Sequence, residues 1–402
     1  MLARSATTRS SFEIPMSVQL MKPLTFLRKI KKRFTRYHPS VEVSISKTRL
    51  VGNLNEYKKK YPELSFAPVL KSNAYGHGLA PVAQILDKED VAFFALDSLY
   101  EAMVLRNNGV KSKILIIGYT SSENIINSKL SRIAFVITGL EQLQEVAKKI
   151  ASRVEIHLKI DTGMHRQGIL PSQIEDAITI IKNNKFLNLE GVASHFADAD
   201  NNDETFTKVQ IEKWESAVSL FQKNFQTIRF LHISATAGIS HCGQIHGNVV
   251  RLGIGLYGVN TSPAVTLDVR PVLHMQAIVS SLKNLPAGEH IGYNSTYTVT
   301  QNSTIATVPV GYFEGVDRRL SNGGFFKIGD HNCSIVGRVS MNITSIDVTS
   351  VPNIKLGDCV TIISSNRDDK NSVEKIAEFV HTIPGEILVH IPESIHRTVI
   401  ED

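Results

Sequence analysis

Cysteine is scarce in this 402-residue chain: Cys242, Cys333 and Cys359 are odd in number and far apart, with no Cys-x-x-Cys pair. Such spacing supports neither a disulfide framework nor a zinc ribbon, and it points to a reducing compartment, the cytoplasm. Long apolar runs are missing too. None approaches the ~20 residues that a membrane-spanning helix needs. There is no Walker motif and no dinucleotide fingerprint. Acidic residues are nearly absent from the start of the chain. Residues 1–36 hold nine basic groups and one acid, Glu13, so the formal net charge of +6 belongs to this tail. The body is left without a broad cationic surface, which argues against nucleic acid as a partner.

The tail lacks the continuous apolar stretch of a secretory signal. Its acid-free start, Met1 to Phe12, is rich in Arg and Ser, as transit peptides are. A disordered basic extension over residues 1–40, or translation from Met16 or Met21, explains the composition equally well.

From Val41 onward, short β-rich runs alternate with segments of helical spacing. The runs are Ala67–Lys71, Phe93–Asp97, Lys113–Tyr119, Arg132–Thr138, Val154–Asp161, Leu189–Phe196, Ile228–Ala235 and Val249–Tyr257. They are nearly continuous in apolar residues, as strands of a parallel sheet buried on both faces are. Eight βα units predict an α/β fold, a closed (β/α)8 TIM barrel over residues 41–270; a doubly wound open sheet is the alternative. After Arg270 helical periodicity nearly disappears. His274–Leu282, Ser303–Val310, Phe325–Ile328, Ser334–Val339, Ile343–Val348 and Cys359–Ile363 read as strands, with one good helix at Ser372–Val380. Residues 271–402 therefore read as a mostly β C-terminal domain.

In a (β/α) barrel the active site lies at the C-terminal ends of the strands. The first run ends in Lys71, the fifth in Lys159-Ile160-Asp161, the sixth in Ser194-His195 and the seventh in Ser234-Ala235-Thr236, while the eighth holds Arg251, Gly253 and Ile254. This rim is cationic and hydroxylic, and it suits an anionic ligand. An apolar strand delivers Lys71 to it, and a neutral amine there can form a Schiff base. A lysine that snorkels to solvent is the plainer alternative. Gly253-Ile254-Gly255 can present backbone N–H groups to a phosphate, or can simply let the chain bend. His232, His241 and His246 flank Cys242 without zinc-ligand spacing, so no metal is expected. His77 reads as a group that satisfies a turn.

Five motifs together resemble the alanine racemase family, over residues 41–402. They are Val69-Leu70-Lys71-Ser72-Asn73-Ala74-Tyr75-Gly76-His77-Gly78, Leu158-Lys159-Ile160-Asp161-Thr162-Gly163-Met164-His165-Arg166, Arg251-Leu252-Gly253-Ile254-Gly255-Leu256-Tyr257-Gly258, Gly292-Tyr293-Asn294-Ser295-Thr296-Tyr297 and Val308-Pro309-Val310-Gly311-Tyr312. The resemblance implies pyridoxal 5'-phosphate held by Lys71 as a Schiff base. It implies Tyr75, Thr236, Gly253 and Ile254 at the cofactor phosphate, His195 against the ring and Arg251 at the ring nitrogen. Lys71 and Tyr293 would be the two bases, Tyr293 coming from the partner in a head-to-tail homodimer. Arg166, with the partner's Met341, would bind the substrate carboxylate, and Lys159 would be carbamylated. The product would supply D-alanine, a peptidoglycan precursor.

The chain departs from the family pattern at several places. Gly385 stands before Glu386-Ile387-Leu388, where the family usually has a phosphate-contacting tyrosine. Asn342 stands in place of Asp, Ala235 in place of Asn, and Thr236 in place of Ser. These changes keep open a serine or broad-specificity racemase. A decarboxylase of the same barrel type is disfavoured by Arg251, where those enzymes carry a carboxylate. A non-catalytic cofactor-binding barrel is disfavoured by a second domain that carries Tyr293 and Met341.

Overall fold

The structure, a computed structural model, describes residues 38–226, 228–260 and 267–402; the basic extension read from residues 1–40 lies almost wholly outside the described residues. Each of the eight N-terminal runs holds a strand. They are β2 (Ser65–Pro68), β3 (Phe94–Leu96), β4 (Ile114–Ile116), β5 (Ile133–Ile137), β6 (Val154–Lys159), β7 (Leu187–Ala193), β8 (Phe230–His232) and β9 (Val249–Leu252). Strands β3 to β8 form one parallel sheet, and β2 pairs in parallel with β9. Bridges Val69–Ala95 and Ala235–Arg251 join that pair to both edges of the sheet, so the ring closes.

The strand sequences explain the closure. Every residue of β3, β4 and β5 is buried, because one face lines the barrel interior and the other packs on helices. Inside, Ala67, Val69, Phe93, Ala95, Leu115, Ala134, Val136 and Val249 form their own cluster. Ala67, Val69 and then Lys71 alternate toward this interior, which carries Lys71 to the rim. The helix Leu99–Asn107 begins with a capping box of Ser98 and Glu101.

The C-terminal half is built on a six-stranded sheet in the order β16-β15-β18-β10-β1-β19. Its strands are β1 (Val41–Ser46), β10 (Leu273–Ile278), β15 (Phe325–Ile328), β16 (His331–Ser334), β18 (Cys359–Ile363) and β19 (His396–Ile400). The sequence places all of residues 41–270 in the barrel, yet β1 runs antiparallel to β10 and parallel to β19. An apolar alternation such as Val43 and Ile45 marks a strand but not its neighbour. The expected strand His274–Leu282 breaks after Ile278. Its remainder joins β11 (Ser281–Leu285), which pairs with β14 (Ser303–Val308) in a separate three-stranded sheet. Of Ser334–Val339, only Ser334 lies in a strand, and Gly337 turns with φ 75°. The expected helix runs Val373–Phe379, capped by Ser372, and a second follows at Pro384–Val389.

Candidate active site

Immediately after Lys71, four successive non-glycine residues take left-handed backbone angles: Ser72, Asn73, Ala74 and Tyr75 have φ of 57°, 55°, 52° and 51°. Such residues cost roughly 1–2 kcal/mol each, so the turn persists because its surroundings hold it. The Ser72 N–H donates to Glu101 Oε1 at 2.8 Å, and the Leu79 N–H donates to Asn73 Oδ1 at 2.8 Å. Arg397 grips the Gly76 carbonyl from the C-terminal segment. The Tyr75 ring packs at 5.1 Å on Tyr257, whose hydroxyl donates to Val69 O at 2.9 Å. The turn folds Tyr75 back beside Lys71, and both line one cavity of about 430 Å³. His77 is buried and bonded through Nδ1 to Tyr75 O; burial pushes its pKa down to about 4, so it stays neutral.

A cradle for an anion lies beside this turn. The Thr236 hydroxyl accepts the N–H groups of Gly253 at 3.1 Å and Gly255 at 3.3 Å. A Cβ placed on Gly253 would stand 3.1 Å from the Tyr75 hydroxyl and 3.7 Å from that of Thr236. Two hydroxyls and a glycine backbone thus converge where a side chain would block them, with Ile254 opening the following 3₁₀ turn. Burial raises the Tyr75 pKa, which keeps the phenol a hydrogen-bond donor. The donor set fits a phosphate, and Lys71 on the adjoining wall fits an aldehyde.

Arg251 organises the opposite wall. Its Nη1 donates to His232 Nδ1 at 2.6 Å and His232 O at 2.7 Å; its Nη2 donates to Ser194 O at 2.7 Å, His195 Nδ1 at 2.9 Å and Ile233 O at 2.9 Å. Guanidinium has only donors, so both imidazoles must accept through Nδ1 and carry their protons on Nε2. Burial, then Arg251, Lys159, Arg166 and Lys71, lowers the His195 pKa to about 3. His232 is pushed well down by burial and by Arg251. Neutral rings are therefore held by a cation whose own pKa burial lowers only to about 10.

Lys159 and Arg166 complete the cationic lining. Lys159 Nζ donates to Gln167 Oε1 at 3.2 Å. Burial and the charges of Arg251, Arg166 and Lys71, against a smaller opposing pull from Asp161, bring its pKa down to about 8. Asp161 accepts the N–H groups of Gly163 at 2.9 Å and His165 at 3.0 Å, bracing the loop that bears Arg166.

Lys71, Tyr75, Lys159, Arg166, His195, Arg251 and Gly253 line the cavity; Thr236 is hydrogen-bonded to Gly253, and Ile254 follows Gly253 in the chain. Tyr293 and Met341 do not: neither lines it, and they are 69% and 55% exposed. Sequence reasoning missed Asp97, Tyr119 and Gln167 on the cavity wall, and Glu101 and Arg397 behind it. The Ser98-x-x-Glu101 capping-box pattern is the local signal that could have placed Glu101 at a helix start, and no local signal marks Arg397.

Comparison with known proteins agrees with this geometry. The alanine racemase N-terminal domain family matches residues 45–261, and the alanine racemase C-terminal domain family matches residues 272–399. Alanine racemase 1 of Caldanaerobacter subterraneus subsp. tengcongensis is 36% identical over 88% of this chain and 93% of its own length. Alanine racemase of Methanococcus maripaludis is 32% identical over 90% and 98%. Among solved structures, alanine racemase of Clostridium difficile 630 superposes with a TM-score of 0.85 at 30% identity, covering 91% of this chain and 97% of that one. The chain belongs to the alanine racemase family. Its reaction is the interconversion of L- and D-alanine, which makes it an isomerase.

Proposed function

We propose that the racemisation runs through pyridoxal phosphate held by Lys71, in a site shared between two copies of the chain. The observation that carries this reading is the meeting of Lys71 with the Tyr75–Thr236–Gly253 cradle in one cationic cavity. Pyridoxal phosphate, when bound, stabilises the carbanion left when a proton leaves Cα. The chain supplies the rest. Tyr75, Thr236 and the backbone of Gly253 and Ile254 bind the phosphate. Neutral His195 packs beside the ring, and Arg251 directs a guanidinium to the ring nitrogen without giving up a proton. Lys71 takes or returns the Cα proton on one face, and Tyr293 of the partner subunit serves the other. Arg166 pairs with the substrate carboxylate beside Met341 of the partner subunit.

A head-to-tail homodimer accounts for Tyr293 and Met341. They are exposed, as are Tyr312, Phe313 and Ile343, and Phe313 hydrogen-bonds directly to Met341. Exposed apolar groups gathered in this way are typical of an interface. Carbamylation of Lys159 is supported by its lowered pKa, because the neutral amine is the form that takes up carbon dioxide. The resulting anion would brace Arg166. Three free cysteines suit a cytoplasmic setting. The division near residue 270 is supported by the two family matches, with β1 assigned to the C-terminal sheet.

Conversion of L-alanine to D-alanine by purified protein with added pyridoxal phosphate tests the reading, with Lys71→Ala alongside. Wild-type conversion together with a borohydride-reducible adduct at Lys71 is the expected result. Conversion without any adduct would remove Lys71 from its role.

A second reading, activity extended to serine, is favoured by Gly385. A Cβ there meets nothing nearer than Ile383 Cδ1 at 4.0 Å, and its helix packs on the turn after Lys71. Gly385→Tyr should then lower kcat/KM for serine more than for alanine; equal changes would dismiss this reading.

A further inference from the structure

Beneath Arg251 a line of polar groups crosses the barrel interior, and the proposed chemistry leaves it unused. His232 Nε2 stands 2.8 Å from His157 Nδ1, and His157 Nε2 faces Glu190 Oε2 at 3.6 Å. Glu190 is ion-paired with Lys113, which immediately precedes β4 at the N-terminal end of the barrel. His157 is fully buried, and its Nε2 has no hydrogen-bond partner among the described residues. The rings of Phe93 and Phe230 enclose it, each at 5.6 Å.

The backbone is adapted to this arrangement. Ile156 pairs with Leu189, but His157 pairs with Gly191, so Glu190 is the extra residue of a β-bulge. Bulges re-aim side chains next to active sites. Gly191 makes room for the ring, since a Cβ there would lie 2.6 Å from His157 Nδ1. Burial works to raise the Glu190 pKa, yet His157 and Lys113 hold it down at about 2. A carboxylate therefore stays ionised in a low-dielectric interior, where its attraction for a facing N–H is strong.

Hydrogen-bond polarity leaves one solution. Arg251 only donates, and an ionised carboxylate only accepts. Each neutral imidazole between them has one donor and one acceptor. All four groups agree only when both rings carry their protons on Nε2. We propose that Glu190, held by Lys113, is a positioning residue that receives the Nε2–H end of the His157–His232 relay, whose tautomers the donor-only Arg251 sets, and so holds Arg251 in place from the opposite end of the barrel. This rests on the proposed role of Arg251 toward the cofactor.

The test is 15N NMR of the histidine-labelled holoenzyme, read beside steady-state kinetics. In the wild type, both His157 and His232 should be Nε2–H tautomers. In Glu190→Gln, the Nε2 resonance of His157 should shift while His232, set by Arg251, stays Nε2–H. Its kcat should fall on the order of 10- to 100-fold, the range seen when the partners that orient metal-bound histidines are lost, with KM for alanine little changed. Glu190→Asp, which keeps the charge, should recover much of both. If Glu190→Gln does not fold, the Lys113→Gln/Glu190→Gln pair removes the stranded cation and gives the same readout. An Nδ1–H tautomer at either ring in the wild type would overturn the proposal. So would a Glu190→Gln protein that melts earlier but keeps the wild-type His157 Nε2 resonance and kcat. If Arg251→Lys leaves kcat unchanged while Glu190→Gln still shifts the His157 resonance, the role of Arg251 fails and the buried chain itself stands.

Discussion

Arg397 holds the carbonyl of Gly76 with two donors, Nε at 3.0 Å and Nη2 at 2.7 Å. The same guanidinium also binds the carbonyls of Ile391, Pro392, Glu393 and Ile395. A residue near the end of the chain thus fastens the left-handed turn that sets Lys71 and Tyr75 side by side.

Replacing Arg397 with Ala should loosen that turn. Hydrogen bonds to a charged donor are worth ~1.5–3 kcal/mol, so the melting temperature should drop and the affinity for pyridoxal phosphate should fall with it. Calorimetry and a cofactor titration check this. An unchanged cofactor affinity would mean that the turn holds without the clamp.

Thr236→Val keeps the shape but removes the acceptor for two N–H groups and a donor to the anion cradle. A loss of about 1–2 kcal/mol, near tenfold in cofactor affinity, is expected. Thr236→Ser should stay close to wild type. The quantity to measure is the dissociation constant of pyridoxal phosphate from the two variants.

Lys159 carries a pH signature. Its pKa falls from 10.5 to about 8 on folding, so below pH 8 both states are protonated and the folded state bears the full penalty. Between pH 8 and 10.5 the unfolded chain binds the extra proton, and stability rises with pH by up to about 3 kcal/mol. Carbamylation removes the same cation. Labelled bicarbonate should therefore give a carbamate signal by 13C NMR and raise the melting temperature near pH 8. Lys159→Ala should show neither change.

A shared site predicts complementation. Lys71→Ala and Tyr293→Phe should each be nearly inactive alone. Mixed and allowed to exchange subunits, equal amounts should recover about a quarter of wild-type activity, because half the dimers then own one intact site. Activity that stays at the level of the separate variants would place both bases in one chain.

Much of this architecture was legible in the sequence because buried parallel strands are written as unbroken apolar runs, and each of the eight runs holds one. Lys71, Lys159, His195, Thr236, Arg251 and Gly253 followed from strand ends, whereas Tyr75 and Arg166 came from the resemblance. The partner of β1 was not legible, since Val43 and Ile45 mark a face without naming the neighbour. The left-handed turn was hidden because Ser72, Asn73, Ala74 and Tyr75 include no glycine to announce positive φ. Glu190 sat inside an apolar run, and only the register slip against β6 shows that it is a bulged residue. Tyr293 and Met341 came from resemblance, and a single copy of the chain leaves them on its surface.

The placement of β1 has a consequence for synthesis. Its two neighbours, β10 and β19, lie far downstream in the chain. Among the described strands, the one that emerges first from the ribosome must wait longest for its hydrogen bonds. Contacts of such long sequence separation are slow to form. The eight-stranded ring can assemble once β9 is made, while Val41–Ser46 and the Arg397 clamp must wait for β19. An arrested or truncated chain would then expose an unpaired edge to the quality-control machinery before it could expose an active site.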